Sequence, residues 1–392
     1  MLKLHGFTTT KWNEEPFIAR LTDNHLFSSH LGESEAFIVK SETLNNSKLQ
    51  EFRCLISKDN EEIQIPKNED YNHRLVRLPT DFNYLVSGDI IKFYPQSGRI
   101  TVFYRKHSKH NVIFLTERCN SNCLMCSQPP RNVDDSHLIN DYLKVIPLMS
   151  TDTVEIGITG GEPTLLKNNF LNIVKACRDY LPSTSLHTLS NGRLFSYLQY
   201  AKVLAQIKHP DLMIGIPLYS DIASIHDYVV QAKGAFNQTI KGIINLARTN
   251  VQVEIRIVVH KQTYERLPQI ARFIARNLPF ASHITFMGLE IMGHTRANLD
   301  NLWIDPVDYQ DELEEAVHYL HKQRMNVSIY NHQLCVLRNS LWSFAKNSIS
   351  DWKNEYFPQC ESCVVKNRCG GFFSSATLRF SNYIYPISSD VL

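Results

Sequence analysis

The chain has 392 residues, of which 43% are hydrophobic and 20% are charged, and its formal net charge is +2. This composition is typical of a globular protein of two or three domains, and the charge gives no general reason to expect nucleic acid or an anionic membrane as a partner. Met1 to Arg20 contain no apolar signal-peptide core, and no run approaches the roughly 18 apolar residues of a membrane span. We therefore expect a cytoplasmic protein.

Residues 1–108 predict a β-rich N-terminal domain of unknown role. Two apolar runs flank the turn Pro95–Gly98, a pattern that is typical of a β-hairpin. Phe37–Val39 predicts a further strand, and the polar stretch Ser41–Lys48 predicts a loop. No residue in this part of the chain forms a recognisable chemical motif.

Strand-like and helix-like segments alternate over residues 109–324. The apolar runs are typical of parallel strands covered on both faces; they are Val112–Leu115, Thr153–Ile158, Leu186–Leu189, Leu212–Leu218, Val253–Val259 and Ile284–Leu289. The amphipathic segments are Leu138–Leu148, Asn169–Tyr180, Leu194–Ile207, Gln238–Arg248, Thr263–Asn277 and Val307–Gln323. Six such units predict an α/β fold, a partial (β/α)6 TIM-like barrel, with an open sheet as the less favoured alternative.

Seven of the nine cysteines fall into two groups, which in a reducing compartment indicates metal binding rather than disulfides. Cys54 and Cys177 stand alone and are expected to be core thiols. The first group is Cys119, Cys123 and Cys126, and the second is Cys335, Cys360, Cys363 and Cys369. The second group lies in residues 325–392, a domain too short to form a large core. A bound metal would stabilise this domain.

The first cysteine group follows the first predicted barrel strand. Three thiolates can hold three irons of a four-iron cluster, which leaves the fourth iron open to a small ligand. A purely structural metal site would normally have four protein ligands. Because barrel enzymes place their chemistry at the carboxyl ends of the strands, this loop predicts a catalytic cluster.

Polar residues follow the next two predicted strands at the same rim. Gly160 and Gly161 allow the backbone to approach a ligand closely, and the Glu162 carboxylate can accept hydrogen bonds from an ammonium group. Ser190 and Asn191 suit a ribose or a carboxylate. Agreement between several strand ends supports a ligand site more strongly than any one motif does.

The sequence resembles the radical S-adenosylmethionine superfamily over residues 111–300. The resemblance is carried by the three cysteines of the first group, by Gly-Gly-Glu-Pro at 160–163 and by Ser-Asn-Gly at 190–192. Met125 departs from the aromatic residue that is usual before the last cysteine. The resemblance implies a [4Fe-4S] cluster that binds S-adenosylmethionine and cleaves it to methionine and a 5′-deoxyadenosyl radical, which takes a hydrogen atom from the substrate.

The same resemblance implies roles for individual residues. Gly160, Gly161 and Glu162 would line the amino group of S-adenosylmethionine, and Ser190 and Asn191 would lie near its ribose or carboxylate. Arg256 is a candidate for the carboxylate, with a structural arginine paired inside the barrel as the alternative. Catalytic residues beyond the cluster are not identified; the candidates for substrate contact after the sixth strand are Glu290, His294 and Arg296, with an ordinary polar loop as the alternative.

The second cysteine group fits either a structural zinc or a further iron–sulfur cluster. The C-terminal domain resembles the SPASM/twitch type, in a reduced form that implies one auxiliary [4Fe-4S] cluster on Cys335, Cys360, Cys363 and Cys369. Thr116–Pro130, Asn331–Cys335 and Asp351–Tyr356 resemble the HxsC family of radical maturases from the His-Xaa-Ser peptide-modification system.

This closer resemblance implies a ribosomally made peptide substrate with His-Xaa-Ser repeats, a partner radical maturase and a reductant protein such as a flavodoxin or ferredoxin. The N-terminal domain would then be a place for a leader segment to dock by adding a strand to a sheet edge. Two alternatives stay open: the same radical chemistry on a small molecule, and a zinc-stabilised binding module without turnover.

Overall fold

The computed structural model describes residues 3–24, 34–39, 49, 52–58, 74–347 and 355–389. Its contacts divide the chain into two compact units. The first comprises Met1–Ile113, His137–Ile156 and Ala176–Thr184, and the second comprises Phe114–Ser136, Gly157–Lys175 and Ser185–Leu392. The predicted loop Ser41–Lys48 lies outside the described residues, as does most of Asp351–Tyr356. The domain boundaries near residues 108 and 324 stay a prediction.

A seven-stranded mixed sheet dominates the N-terminal part. Its strands are β1 His5–Phe7, β2 Phe17–Thr22, β3 Glu35–Ile38, β4 Cys54–Lys58, β5 Leu75–Leu78, β6 Ile90–Tyr94 and β7 Arg99–Tyr104, in the order β1-β7-β6-β2-β3-β4-β5. The predicted hairpin is confirmed as the antiparallel pair β6–β7, whereas β2, β3, β4 and β5 pair in parallel. Side chains of six of these strands form one buried apolar core that includes Ile56 and Phe93.

The β5 edge of this sheet is occupied by the chain that follows β1. Thr8 Oγ1 donates to Arg77 O at 2.5 Å, and Arg77 N donates to Thr10 Oγ1 at 3.3 Å. A peptide strand added at this position would have to displace both hydrogen bonds. Both backbone groups of Arg77 are therefore already hydrogen-bonded, and neither is free to pair with a leader segment that docks by strand addition.

The second sheet is the barrel sheet, and it confirms the predicted α/β partial-barrel fold. Its strands follow one another in space as they do in sequence: β8 His110–Phe114, β9 Glu155–Thr159, β10 Ser185–Leu189, β11 Leu212–Pro217, β12 Gln252–Val259, β13 His283–Gly288 and β14 Val327–Tyr330. The pairs from β10 to β14 are parallel. The strand β14 extends the six that the sequence predicts.

Helices follow most strands of the barrel sheet. They are α1 His137–Val145, α2 Asn168–Tyr180, α3 Leu198–Gln206, α4 Ala223–Val230, α5 Ala235–Arg248, α6 Leu267–Asn277, α7 His294–Ala297, α8 Leu299–Leu302 and α9 Gln310–Lys322. The Asp227 carboxylate, in the middle of α4, accepts hydrogen bonds from Gly234 N and Phe236 N and thereby binds free backbone amides at the start of α5. Within the described residues, no helix is long and apolar enough to cross a membrane.

Continuous apolar strands make the centre of the barrel. Ile214, Ile216, Ile255 and Ile257 have no exposed surface, as expected of parallel strands covered on both faces. Cys54 and Cys177 are each about 1% exposed, which confirms them as core thiols. Because both faces of the sheet are buried, the polar strand ends are left at the rim, where the candidate site lies.

Candidate functional site

The loop that carries the first cysteine group begins where β8 ends and is fixed there by Asp135. The carboxylate accepts hydrogen bonds from Thr116 Oγ1 at 2.8 Å and from Glu117 N at 2.6 Å, and Arg118 Nη2 lies 3.3 Å from its other oxygen. Asp135 is only 4% exposed, so these donors replace its hydration. The loop is therefore anchored to the strand end just before its first cysteine.

Cys119, Cys123 and Cys126 are all partly buried on this loop. Cys126 N donates to Cys123 O at 3.1 Å, which folds the end of the triad into a turn. Burial raises the pKa of Cys119 to about 11 and that of Cys123 to about 12, and repulsion from the neighbouring cysteines contributes to both shifts. Binding of iron by these thiols must therefore release protons and is favoured by higher pH.

Gly160 and Gly161 lie directly against the cysteine loop. A Cβ on Gly160, whose φ is +153°, would lie 2.5 Å from Thr116 O, and a Cβ on Gly161 would lie 2.4 Å from Arg118 O. Gly161 N donates to Thr116 O at 2.7 Å, and Glu162 N donates to Arg118 O at 2.9 Å. The two glycines thus allow the ends of β8 and β9 to approach within backbone hydrogen-bonding distance.

The Glu162 carboxylate has no exposed surface and accepts four hydrogen bonds from the chain itself. Its Oε1 accepts from Thr164 N at 3.0 Å, Thr164 Oγ1 at 2.5 Å and Ser190 Oγ at 2.8 Å, and its Oε2 accepts from Asn191 N at 2.6 Å. Burial raises the pKa of Glu162, against the lowering effect of these donors. The carboxylate joins the loop after β9 to the end of β10, so the structure brings Glu162, Ser190 and Asn191 together.

Arg193, which the sequence reasoning did not single out, completes this side of the site. Its Nη1 donates to Asn120 O and, at 3.1 Å, to Ser121 Oγ, while Asn191 Nδ2 donates to Asn120 Oδ1 at 2.6 Å. The guanidinium also lowers the pKa of Cys123, although burial outweighs it. A cation beside the triad favours thiolates. In the sequence, Arg193 is marked only by its position directly after Ser-Asn-Gly.

Arg256 lies inside the barrel and is paired with Glu254. Its Nη1 is 2.8 Å from Glu254 Oε2, and His187 Nε2 and His283 Nδ1 contact the same carboxylate at 2.9 Å and 3.1 Å. Burial raises the pKa of Glu254, but the two histidines and the arginine together hold it well below its usual range. Arg256 is thus paired inside the barrel, as expected of a structural arginine. A contact of Arg256 with the carboxylate of S-adenosylmethionine stays a prediction.

The three candidates after β13 occupy different positions. Arg296 is exposed, and its Nε donates to Ile291 O at 3.4 Å. Glu290 is partly buried in the same loop. His294 faces the cysteine loop, with its Nδ1 3.2 Å from Cys123 O. Substrate contacts by Glu290 and Arg296 stay a prediction, while His294 contacts the loop of the first cysteine group.

The second cysteine group lines one small cavity of about 20 Å³; the four thiols are those of Cys335, Cys360, Cys363 and Cys369. Ile387 covers this cavity, is 1% exposed and donates its N–H to Cys363 Sγ at 3.4 Å. Burial raises the pKa of Cys335 to about 11. The structure therefore brings together all four cysteines that the sequence grouped, including Cys335, which is distant from the others along the chain.

The donors at both sites are sulfur atoms in partly buried loops. Among the described residues, no three His, Cys, Asp or Glu side chains form a group that could hold a metal ion as they stand. A four-iron cluster binds each thiolate through a different iron, so its ligands surround a cluster instead of converging on one point. The chemistry of both donor sets fits iron–sulfur clusters.

Comparisons with known proteins match the part of the chain that holds the first cysteine group. The family model of the Radical SAM superfamily matches residues 113–274. An uncharacterized protein of Methanocaldococcus jannaschii is 28% identical over 178 residues, 44% of this chain and 59% of that protein. The GTP 3′,8-cyclase of Petrotoga mobilis is 24% identical over 207 residues, 51% of this chain and 61% of that protein. The chain thus covers less than two thirds of either relative.

Among solved structures, Streptococcus suis SuiB bound to S-adenosylmethionine has 16% sequence identity and a TM-score of 0.48, over 65% of this chain and 56% of SuiB. Native anSMEcpe with bound AdoMet has 17% identity and a TM-score of 0.45, over 56% of this chain and 62% of that protein. The family match includes the cysteine triad, both glycines and the Glu162 network. We conclude that residues 113–274 form a domain of the Radical SAM superfamily.

Proposed function

We propose that this chain is a radical S-adenosylmethionine enzyme whose catalytic [4Fe-4S] cluster is bound by Cys119, Cys123 and Cys126. One observation carries the proposal: three partly buried thiols share a loop that is hydrogen-bonded to the Gly160–Glu162 segment, inside a Radical SAM domain. Three cysteines leave one iron of such a cluster without a protein ligand. When bound, the cluster would supply one electron to the sulfonium of S-adenosylmethionine, which releases a 5′-deoxyadenosyl radical.

The residues around the triad would bind and orient S-adenosylmethionine. Gly160 and Gly161 keep side chains away from the amino group, and the buried Glu162 holds the backbone of Asn191 in place. Ser190 and Asn191 would face the ribose or the carboxylate, with Arg256 as a further carboxylate ligand. A preorganised set of polar groups fixes the cofactor without a reorganisation cost at the moment of reaction.

We further propose that Cys335, Cys360, Cys363 and Cys369 bind an auxiliary [4Fe-4S] cluster in a SPASM/twitch-like domain. Support comes from the single cavity that all four thiols line, and from the Ile387 N–H directed at Cys363 Sγ. Hydrogen bonds to the sulfurs and exclusion of solvent both tune the reduction potential of such a cluster. Four protein ligands leave no open iron, so this site would transfer electrons or stabilise the domain.

The substrate we propose is a ribosomally made peptide, in line with the resemblance to the HxsC maturases and their His-Xaa-Ser peptides. A groove of about 610 Å³ supports an extended substrate; it is lined by Trp303, Arg379, Phe380 and Tyr383, with two acidic side chains, Asp305 and Asp308. Glu290 and Arg296 would contact the substrate near the barrel rim. A partner radical maturase and a flavodoxin or ferredoxin would act with the enzyme in the cytoplasm.

A small-molecule substrate is the second candidate. The relative from Petrotoga mobilis is named a GTP 3′,8-cyclase, and it matches about half of this chain. Its name shows that a related domain acts on a nucleotide. The two candidates differ in whether a His-Xaa-Ser peptide or a small molecule stimulates S-adenosylmethionine cleavage.

Formation of 5′-deoxyadenosine tests the proposed chemistry. The protein would be loaded with iron and sulfide without oxygen and given S-adenosylmethionine and a strong reductant, with and without a synthetic His-Xaa-Ser peptide. We expect product from the wild type and from Cys177→Ala, which removes a core thiol outside both groups, and none from Cys126→Ala. Equal product from wild type and Cys126→Ala would refute the assignment of the triad, and unchanged product with peptide would refute the peptide substrate.

A further inference from the structure

Four consecutive carbonyl groups of the cysteine loop are hydrogen-bonded by the segment after β13. The four pairs are His294 Nδ1 with Cys123 O at 3.2 Å, Asn298 Nδ2 with Leu124 O at 2.9 Å, Thr295 Oγ1 with Met125 O at 3.2 Å and His294 N with Cys126 O at 2.9 Å. Since a carbonyl can only accept, Nδ1 of His294 carries the proton in this contact. Every peptide group from the second to the third cysteine thus has its oxygen bound.

The amide side of the same loop is held by a different element. Asn122 N donates to Val230 O at 3.1 Å, and Leu124 N donates to Val229 O at 2.9 Å, at the end of α4. Met125 packs between these elements in a buried cluster with Val229 and Leu302. The loop is therefore fixed from both sides by contacts that need no metal.

The segment after β13 lies so close to the cysteine loop that a side chain at Gly293 has no room. Gly293 has a φ of +53°, and a Cβ there would lie 2.3 Å from Cys126 O and 2.6 Å from Ser127 O. Thr295 has no exposed surface, so its hydroxyl depends on the Met125 carbonyl for a hydrogen bond. A side chain at position 293 would push the segment away from the loop.

We infer that Gly293–Asn298 is a carbonyl clamp, a set of positioning residues that fixes the cysteine loop in its metal-binding conformation before any cluster is present. A bound carbonyl fixes the orientation of its peptide plane, and two consecutive fixed planes determine where the intervening Cβ points. The clamp therefore sets the direction of Cys126, and it fixes the peptide plane that follows Cys123. The inference rests on the proposed function for its purpose, but the conformation it describes can be measured without metal.

Hydrogen–deuterium exchange of the metal-free full-length chain tests the clamp. The double variant His294→Leu/Asn298→Leu removes two side-chain donors, whereas His294→Asn keeps a donor near the position of Nδ1. Asn301→Ala is the matched control, since Asn301 is exposed and its side chain makes no hydrogen bond to the cysteine loop among the described contacts. We expect amides of residues 119–128 to exchange about tenfold faster in the double variant, and no faster in His294→Asn or the control.

Unchanged exchange of residues 119–128 in a folded double variant would overturn the clamp. If the double variant unfolds, Thr295→Val decides, because it removes one buried hydroxyl and keeps the shape of the side chain. Faster exchange of residues 119–128 in this variant would support the clamp, and unchanged exchange would overturn it. We also expect the electron paramagnetic resonance signal of a cluster bound by Cys119, Cys123 and Cys126 to differ from that of the wild type in the double variant and to match it in His294→Asn.

The two proposals can fail separately. A protected loop in a wild type that forms no 5′-deoxyadenosine would refute the radical chemistry and leave the clamp standing. Formation of 5′-deoxyadenosine together with an unprotected loop would refute the clamp alone.

Discussion

Replacing Glu162 by alanine or by glutamine is expected to destabilise the protein to different extents, because the two changes leave different numbers of buried donors without an acceptor. The carboxylate accepts from two backbone amides, Thr164 N and Asn191 N, and from the hydroxyls of Thr164 and Ser190. The hydroxyls can rotate towards other acceptors. The amides cannot, so they determine the size of the effect.

Glu162→Ala leaves both amides unpaired, and each unpaired buried donor costs about 1–3 kcal/mol, so the free energy of unfolding should fall by about 2–6 kcal/mol. Glu162→Gln keeps an oxygen for Thr164 and Ser190 but turns its NH₂ group towards Asn191 N. With one amide left unpaired, the expected fall is about 1–3 kcal/mol.

The pH dependence of this difference has a definite sign. Burial raises the pKa of Glu162, so the folded state favours the protonated carboxyl group relative to the unfolded chain. Its contribution to stability is then full below the ordinary pKa of 4.5 and decreases as the pH rises through the raised value of the folded state. The loss caused by Glu162→Gln should therefore be larger at pH 5 than at pH 8.

Urea unfolding of the metal-free protein, followed by tryptophan fluorescence at both pH values, measures these losses. Glu265→Gln is the matched control, because Glu265 is exposed and its replacement should change the free energy of unfolding by less than about 0.5 kcal/mol. A loss below that limit in Glu162→Ala, or equal losses in the alanine and glutamine variants, would contradict the reasoning from unpaired amides.

Two further predictions concern the same domain. Gly161→Ala should lower the iron bound by the triad severalfold, since its Cβ would lie 2.4 Å from Arg118 O. Gly234→Ala strains the backbone at a φ of +79° but brings its Cβ within 4 Å of no atom, so it should leave the iron bound per folded chain unchanged; equal iron contents in the two variants would contradict this. Burial lowers the pKa of His226 to about 4, so its share of stability is present above pH 6.5 and is lost as the pH falls. His226→Asn should remove up to about 3 kcal/mol of the loss in unfolding free energy between pH 7 and pH 4, and identical pH profiles would count against it.

Most of the barrel could be predicted because its elements carry strong periodicity. All six predicted strands and the six amphipathic segments coincide with elements of the structure to within a few residues. The missed elements include α7 and α8, which have four residues each. Two more are β14, Val327–Tyr330, which also has only four residues, and α4, Ala223–Val230, which is rich in β-branched residues that disfavour helices. Both form because neighbouring elements pair with or pack against them, which a local pattern does not reveal.

The candidate site, like the barrel, could be predicted from the sequence only in part. Cysteine spacing and strand-end positions were enough to group both sets of thiols. The hydrogen bonds from Ser190 and Asn191 to Glu162 and the contact of Arg193 with Asn120 were not predicted, because they join groups that are 28 to 73 residues apart along the chain. His294 is one of the candidates for substrate contact at the rim, and its hydrogen bond to the carbonyl of Cys123, 171 residues away, leaves no signature in the sequence.

A cavity of about 70 Å³ lies at the ends of β12, β13 and β14, and two of the segments that line it are adjacent in sequence to the carbonyl clamp and to Cys369. Leu289 and Ile291 line one side of it and lead within two residues to Gly293, where the carbonyl clamp begins. Gly370 and Gly371, which follow Cys369 directly, line another side. The lining of this cavity thus brings the backbone segment that leads to the clamp into the same wall as the segment that follows Cys369. Replacing the buried Ile291 by alanine is therefore expected to loosen the carbonyl clamp through adjacent residues, which faster amide exchange of residues 119–128 in the metal-free protein would show.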